Sequence, residues 1–289
     1  MIFEEKGITM ENVLEINNLN TSYHNSEFRL SNISFSIKPG EIVGLIGKNG
    51  SCKSTLINTL VGNRLKDSGS MTFFDEEVTN SEFKYKEHIG VVFDDLRIPN
   101  KLPLQSIDKV FTHIYETWNS QTFFSLIKEF ELPSINEIKT FSRGMRMKAA
   151  LSIALSHNSK LLIRNEATAG MDVSRREQVM EILEDYVGED RAILISSHIS
   201  DDIEQFATQL LFMRDGKIIL QEDKDVLLNN YGIVDQPLEA FNIPNELLIA
   251  SRKRKNRQIS LVSNYQVILE EKPIRSLVDA TKIIMRGDY

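Results

Sequence analysis

The segment Gly47-Lys48-Asn49-Gly50-Ser51-Cys52-Lys53-Ser54-Thr55 constrains this chain more than any other stretch. It follows the apolar run Ile42-Val43-Gly44-Leu45-Ile46, and Leu56, Ile57, Leu60 and Val61 then recur at helical spacing. Strand, glycine-rich loop and helix, in that order, form the context a phosphate-binding loop requires. Backbone N–H groups of the loop and of the helix start converge on a polyanion, and the helix dipole adds partial positive charge there. On this reading Gly47, Asn49, Gly50, Ser51, Cys52 and Thr55 cradle phosphate, Lys53 reaches the terminal phosphates and Ser54 holds Mg²⁺. Cys52 stands where the pattern has glycine.

The rest of the sequence sets the bounds. A length of 289 residues holds one large domain with a small appendage. A net charge of −7 argues against a general nucleic-acid surface, so no nucleic-acid partner is expected. No apolar run approaches ~20 residues, so no membrane-spanning helix is expected. The first residues lack the apolar core of a secretory signal, and Met10 offers an alternative start, with residues 1–9 as an extension. The single cysteine excludes an internal disulfide and fits a reducing cytoplasm.

Leu14-Glu15-Ile16 and Ile33 to Ile37 alternate as half-buried strands do, and Pro39-Gly40 turns the chain before the loop-bearing strand. Met71 to Phe74 and Ile89 to Phe93 read as strands. From Ser106 to about Ala154 the pattern is helical, with Ile107, Val110, Phe111 and Ile114 forming one stripe. Leu161 to Ile163 and Ala192 to Ile195 are strands flanking a helix with Val179, Ile182, Leu183 and Tyr186 on one face. Ser174 and Glu177 form a capping box at its start. Leu210 to Leu220 reads as a hairpin turning at Asp215-Gly216. Beyond Asn229-Asn230-Tyr231-Gly232 come a short helical piece, the basic run Arg252 to Lys255, strands at Ile259 to Val262 and Gln266 to Leu269, and a helix from Ile274 to Met285. This tail is too short to be stable alone, so it is expected to pack on the main domain. Met145, Met147, Met171 and Met180 read as core filler, and the basic run as a solvated loop with an anionic-lipid contact as the rival reading.

Further segments fall in a definite order around the loop. Phe141-Ser142-Arg143-Gly144-Met145 resembles the signature motif of ATP-binding-cassette (ABC) ATPases. Leu161 to Glu166 resembles their Walker B strand, Ala169-Gly170-Met171-Asp172 their D-loop, Ser196-Ser197-His198 their switch-histidine segment, and Tyr23 the aromatic that stacks on adenine. The match runs from residue 14 to about 226, and the tail resembles the C-terminal extension of ABC-2 type exporters, including those that expel amphipathic peptides such as phenol-soluble modulins.

The resemblance implies an α/β P-loop NTPase of the ABC ATPase fold: a mixed β core, an antiparallel β subdomain, a helical subdomain at about 95–155, and a small C-terminal extension. The expected divisions are an N-terminal extension at 1–10, an ATPase domain at 11–226 and an accessory domain at 227–289. It implies ATP and Mg²⁺ as ligands, with Glu166 activating water and His198 bonding the γ-phosphate. Ser142 and Gly144, before a helix, make a second anion clamp that serves the ATP of a partner subunit, next to Asp172 of the D-loop. The metal set would be Ser54, Asp94 and Asn165. The implied partners are a second cassette, identical or not, and a membrane-spanning permease docking on Asp94 to Leu104, which places the chain in the cytoplasm against the inner face of the membrane.

Three departures cluster at one place: Cys52 for glycine, Arg164 for an apolar residue, and Asn165 for the Walker B aspartate. Neutral Asn165 supplies no charge to Mg²⁺. Arg164 puts a cation in a strand that reads as buried. Asp94 is a milder departure, standing where most of the family has Gln. Impaired Mg²⁺–phosphate handling is expected, which keeps a non-catalytic regulatory or degenerate cassette open as an alternative, beside a soluble ABC ATPase outside transport. The latter kinds usually carry tandem cassettes or a long coiled coil, and this chain reads as having neither.

Overall fold

The computed structural model describes residues 10–23, 29–93, 96, 98–165, 173–197, 200–240, 242–264, 272–274 and 276–287. Strands β1 (Leu14–Ser22) and β2 (Arg29–Ile37) come first, β3 (Ile42–Ile46) leads into α1 (Lys53–Leu60), and β4 (Ser68–Phe73) and β5 (Glu76–Glu77) follow. Next are β6 (Ile89–Val92), α2 (Leu104–Phe111), α3 (Ser120–Glu129), α4 (Arg143–Ala154), β7 (Leu161–Asn165), α5 (Val173–Tyr186), β8 (Ala192–Ser197) and α6 (Ser200–Phe206). Then come β9 (Gln209–Arg214), β10 (Lys217–Asp223), α7 (Lys224–Asn230), β11 (Tyr231–Pro237), β12 (Leu248–Arg254), β13 (Arg257–Ser263), β14 (Lys272–Pro273) and α8 (Leu277–Ile284).

The central sheet runs β10-β9-β3-β8-β7-β6, with an antiparallel sheet β2-β1-β4-β5 beside it and a third sheet, β12-β13-β11-β14, in the tail. Strands β9, β3, β8, β7 and β6 are mutually parallel, and β10 pairs antiparallel with β9. The β9–β10 hairpin turns on Asp215 and Gly216, both with positive φ, as a two-residue turn requires.

The apolar runs of the central strands follow from coverage of both faces. Val43, Leu45, Leu161, Ile163 and Leu194 enter one core with residues of α1, β1 and β2. Ile42, Leu162, Ile193 and Ile195 enter a second core with Phe123, Met147, Ala150 and Leu183 of the helices. Gly44 is bare because α6 crosses β3 there: a Cβ would lie 2.3 Å from Ile203 Cγ2.

The stripe on α2 is only partly realised. Ile107 is buried, but Val110 is 42% exposed and Ile114 58% exposed, because the helix ends at Phe111 and periodicity alone does not mark that end. On α5, Val179, Leu183 and Tyr186 are buried and Ile182 packs against the same core. The side chains of Ser174 and Glu177 lie outside the described residues.

The tail does pack on the rest of the chain. Ile46, Ile203 and Phe212 share a third core with Leu227, Tyr231, Leu261, Leu277 and Ile283. Leu277 N–H donates to Glu204 Oε2 at 2.7 Å, and Arg214 Nη1 donates to the carbonyls of Ile284 and Gly287. The helical piece expected after Gly232 is instead β11 and a single 3-10 turn at Leu238–Ala240. The basic run is not a loop: Arg252 to Arg254 end β12, and the chain turns at Lys255, φ 55°. Gln266 to Leu269 lie outside the described residues.

Candidate functional site

Strand β3 ends directly before the glycine-rich loop, and α1 begins at Lys53. Parallel strands carry their ligand sites at their carboxyl ends, and this loop leaves β3, an interior strand flanked by β9 and β8. Gly47 must lack a side chain, since a Cβ there would lie 2.3 Å from Ser51 Oγ and 2.6 Å from the Met213 carbonyl oxygen. Lys53 is 6% exposed and folds back over its own loop, donating through Nζ to the carbonyls of Gly47 at 2.5 Å and Lys48 at 3.2 Å. Ser51 Oγ is buried and has no hydrogen-bond partner among the described residues. A buried lysine ammonium, an orphaned hydroxyl and a helix N-terminus at one loop fit a bound phosphate chain. Asn49 and Ser54 are exposed at the loop and helix start, and Thr55 is buried.

Cys52 is the N-cap of α1 and sits at φ 75°, ψ 18°, the left-handed region. That explains why glycine suits this position: a side chain there carries a conformational cost of about 1–2 kcal/mol. The thiol is buried, lies 3.8 Å from the Gly50 carbonyl oxygen, and burial raises its pKa above the ordinary value, so it is a neutral thiol at pH 7.

The β register brings the carboxyl ends of β8 and β7 level with that of β3. Ile46 of β3 pairs with Ser197, and Ser196 pairs with Asn165. Asn165 Oδ1 accepts a hydrogen bond from Ser196 Oγ at 2.8 Å. Glu166 and His198 directly follow β7 and β8 in the chain; they, Asp172 and Asp94 lie outside the described residues. Among the described residues no group of three or more His, Cys, Asp or Glu is placed to hold a metal ion. Ser54 and Asn165 offer neutral oxygens, which suit Mg²⁺ only as an ion carried by phosphate with water completing its shell.

Arg164 precedes Asn165 and points to the opposite face. It is 1% exposed, with Nη2 donating to Met147 Sδ at 3.1 Å and Nη1 to Met180 Sδ at 4.0 Å. Met147 belongs to α4 and Met180 to α5, so this guanidinium ties the end of β7 to both helices. Met145 packs partly against the same core, and Met171 lies outside the described residues.

Ser142 is the N-cap of α4 and accepts from Met145 N–H at 3.3 Å. It is exposed, and a Cβ on Gly144 would meet nothing within 4 Å, so this helix start is open to a second molecule. Helix α4 packs on β6 and α3.

Tyr23 follows β1 and is 37% exposed, with the Arg64 guanidinium carbon 3.5 Å from its ring centroid. Nothing in the sequence pattern marks Arg64, which lies in the turn after α1. A groove of about 190 Å³ opens between the sheet edge and the helices, lined by Phe93, Leu96, Ile98, Phe111, Tyr115 and His157. The rings of Tyr115 and His157 stack at 4.1 Å, and His157 Nε2 lies 3.3 Å from the Ile89 carbonyl oxygen. Burial lowers the His157 pKa, so the ring is neutral at pH 7.

Comparison with known proteins shows the family and the fold of this chain. The model of the family described as "ABC transporter" matches residues 30–169. The lantibiotic transport ATP-binding protein SrtF of Streptococcus pyogenes is 33% identical over 215 residues, covering 74% of this chain and 92% of that protein. The linearmycin resistance ATP-binding protein LnrL of Bacillus subtilis is 26% identical, covering 76% of this chain and 72% of that protein. A solved dimeric ATP-binding cassette, in a post-hydrolysis state with ADP and Pi, superposes with a TM-score of 0.65 at 21% identity, covering 73% of this chain and 98% of that one. That likeness carries the fold.

Proposed function

The chain belongs to the ABC transporter family as an ATP-binding subunit, and from that premise we propose that it drives export of a peptide or other amphipathic substrate through a separate membrane subunit. The observation that carries the nucleotide reading is the loop between β3 and α1, with Lys53 buried at a helix start and Ser51 Oγ orphaned beside it. The names of SrtF and LnrL, lantibiotic transport and linearmycin resistance, support the export of such a substrate.

In this reading Lys53 exchanges the Gly47 and Lys48 carbonyls for phosphate oxygens, gaining a charge-assisted contact. Ser51 Oγ gains the partner it lacks. Tyr23 takes the base. Glu166, next after Asn165, polarises the attacking water, and His198 bonds the γ-phosphate. Mg²⁺, when carried in with ATP, neutralises charge on the phosphates. The exposed Ser142 end of α4 clamps nucleotide held by a second cassette, so two copies, or this chain and a different cassette, sandwich ATP. The groove beside Phe93 and His157, lined also by Leu96 and Ile98, receives the permease. No described helix is long and apolar enough to cross a membrane, which fits a peripheral subunit on the inner face of the membrane.

A second reading has support in the same place. Cys52 in a left-handed conformation and neutral Asn165 favour a cassette with weakened Mg²⁺–phosphate handling, a degenerate or regulatory partner. One experiment separates the two: ATPase turnover of the chain beside a Cys52→Gly, Arg164→Leu, Asn165→Asp version. Slow turnover that rises in the triple variant supports impairment, and equal turnover removes it. Adding Glu166→Gln to the triple variant should stop turnover and trap an ATP-bound dimer. A monomer by light scattering at saturating ATP would contradict the sandwich.

A further inference from the structure

Arg64 has no part in the nucleotide site as described so far, yet it lies on the one aromatic ring assigned to the base. Its guanidinium carbon is 3.5 Å from the Tyr23 centroid, the separation of direct face-on contact. Both ends of this contact are anchored. Asn63 N–H and Arg64 N–H both donate to the Asn58 carbonyl, at 2.9 and 3.1 Å, so the backbone that carries Arg64 is curled onto the C-terminal end of α1. Arg64 Nη2 also donates to the carbonyl of Ser22, the residue before Tyr23. Ser22 in turn donates through N–H and Oγ to Asp67 Oδ2 at 2.7 and 2.6 Å.

The helix whose N-terminus carries Lys53 is thus tied by its far end to the aromatic ring. One face of Tyr23 lies under the guanidinium, and the residue is still 37% exposed. We propose that Arg64 is a positioning residue for base recognition: it holds the Tyr23 ring from one side so that the other side is a preset platform for a purine. This rests on the nucleotide reading of the loop. Holding the ring in advance lowers the side-chain ordering that base binding would otherwise require. The effect is confined to the base end of the ligand, since Arg64 serves the ring and not the phosphates.

The test is calorimetric titration of the full chain with two probes, ATP and inorganic tripolyphosphate. Arg64→Ala should weaken ATP about threefold, the worth of one exposed cation–π contact, and leave tripolyphosphate unchanged. Arg64→Lys, which keeps a cation, should recover most of the ATP affinity. In a Tyr23→Ala background, Arg64→Ala should change nothing further. Equal loss for both probes would overturn the proposal by making Arg64 a phosphate contact. Tighter ATP binding in Arg64→Ala would overturn it by placing the guanidinium on the face the base needs, and unchanged ATP binding would overturn it outright. A wild-type chain that binds neither probe at millimolar concentration would instead overturn the nucleotide reading, and this inference with it.

Discussion

Asn165 Oδ1 accepts from Ser196 Oγ at 2.8 Å, and these two residues stand directly opposite each other on β7 and β8. A neutral amide therefore occupies the strand end where the family pattern has a carboxylate. Replacing it tests what that neutrality does. Asn165→Asp keeps an acceptor for Ser196 and adds one negative charge near the loop. ATP affinity of the variant should fall without Mg²⁺, through like-charge repulsion, and rise with it. Titrations with and without Mg²⁺ that give both proteins the same Mg²⁺ dependence would show that Asn165 does not face the ion.

Cys52 gives a conformational test. Gly is ordinarily about 1 kcal/mol worse than Ala in a helix, but at a left-handed N-cap the order reverses. Cys52→Gly should be more stable than Cys52→Ala by about 1 kcal/mol in urea unfolding, both having lost the same thiol. An alanine variant as stable as the glycine one would mean that the loop carries no such cost.

The tail is tested at Leu277, which is fully buried in the core shared with Ile46 and Ile203. Leu277→Ala should lower stability by about 2–4 kcal/mol in one cooperative transition. A separate early transition with the main one unmoved would mean that the tail folds apart from the rest.

His157 sets an acid limit. Its folded pKa is depressed by burial, so as pH falls below about 6.5 the unfolded chain takes up a proton that the folded chain does not. The unfolded state binds more protons in that window, and stability falls with falling pH until the folded pKa is reached. His157→Gln, which cannot titrate but can still donate to Ile89, should flatten the thermal midpoint between pH 7 and 5 relative to wild type. Parallel pH profiles for the two proteins would remove His157 from the account.

What the sequence made legible was what lies in short contiguous stretches. Gly47 to Thr55 needs only its own spacing and a strand before it, and β3 to α1 forms as expected. The Asp215-Gly216 turn was equally local. The contacts that escaped join distant segments. Arg164 read as a buried cation, but the Met147 and Met180 sulfurs that receive it come from two different helices. Arg64 and Tyr23 follow α1 and β1, far apart in the sequence, and meet only in the fold. The misread stripe at Val110 and Ile114 has a simpler cause: periodicity gives a face but not the residue where the helix stops. Glu166, His198, Asp94 and Asp172 lie outside the described residues, and their roles rest on the resemblance alone.

The central claim is that the loop before α1 holds a nucleotide by its phosphates, and calorimetric titration of ATP into the wild-type chain and Lys53→Ala tests it most directly. The account predicts measurable ATP binding in wild type and loss of most of it in Lys53→Ala, because one charge-assisted phosphate contact disappears while the loop carbonyls of Gly47 and Lys48 merely lose an internal donor. Equal ATP affinity in the two proteins, or no binding by wild type at millimolar ATP, would contradict it.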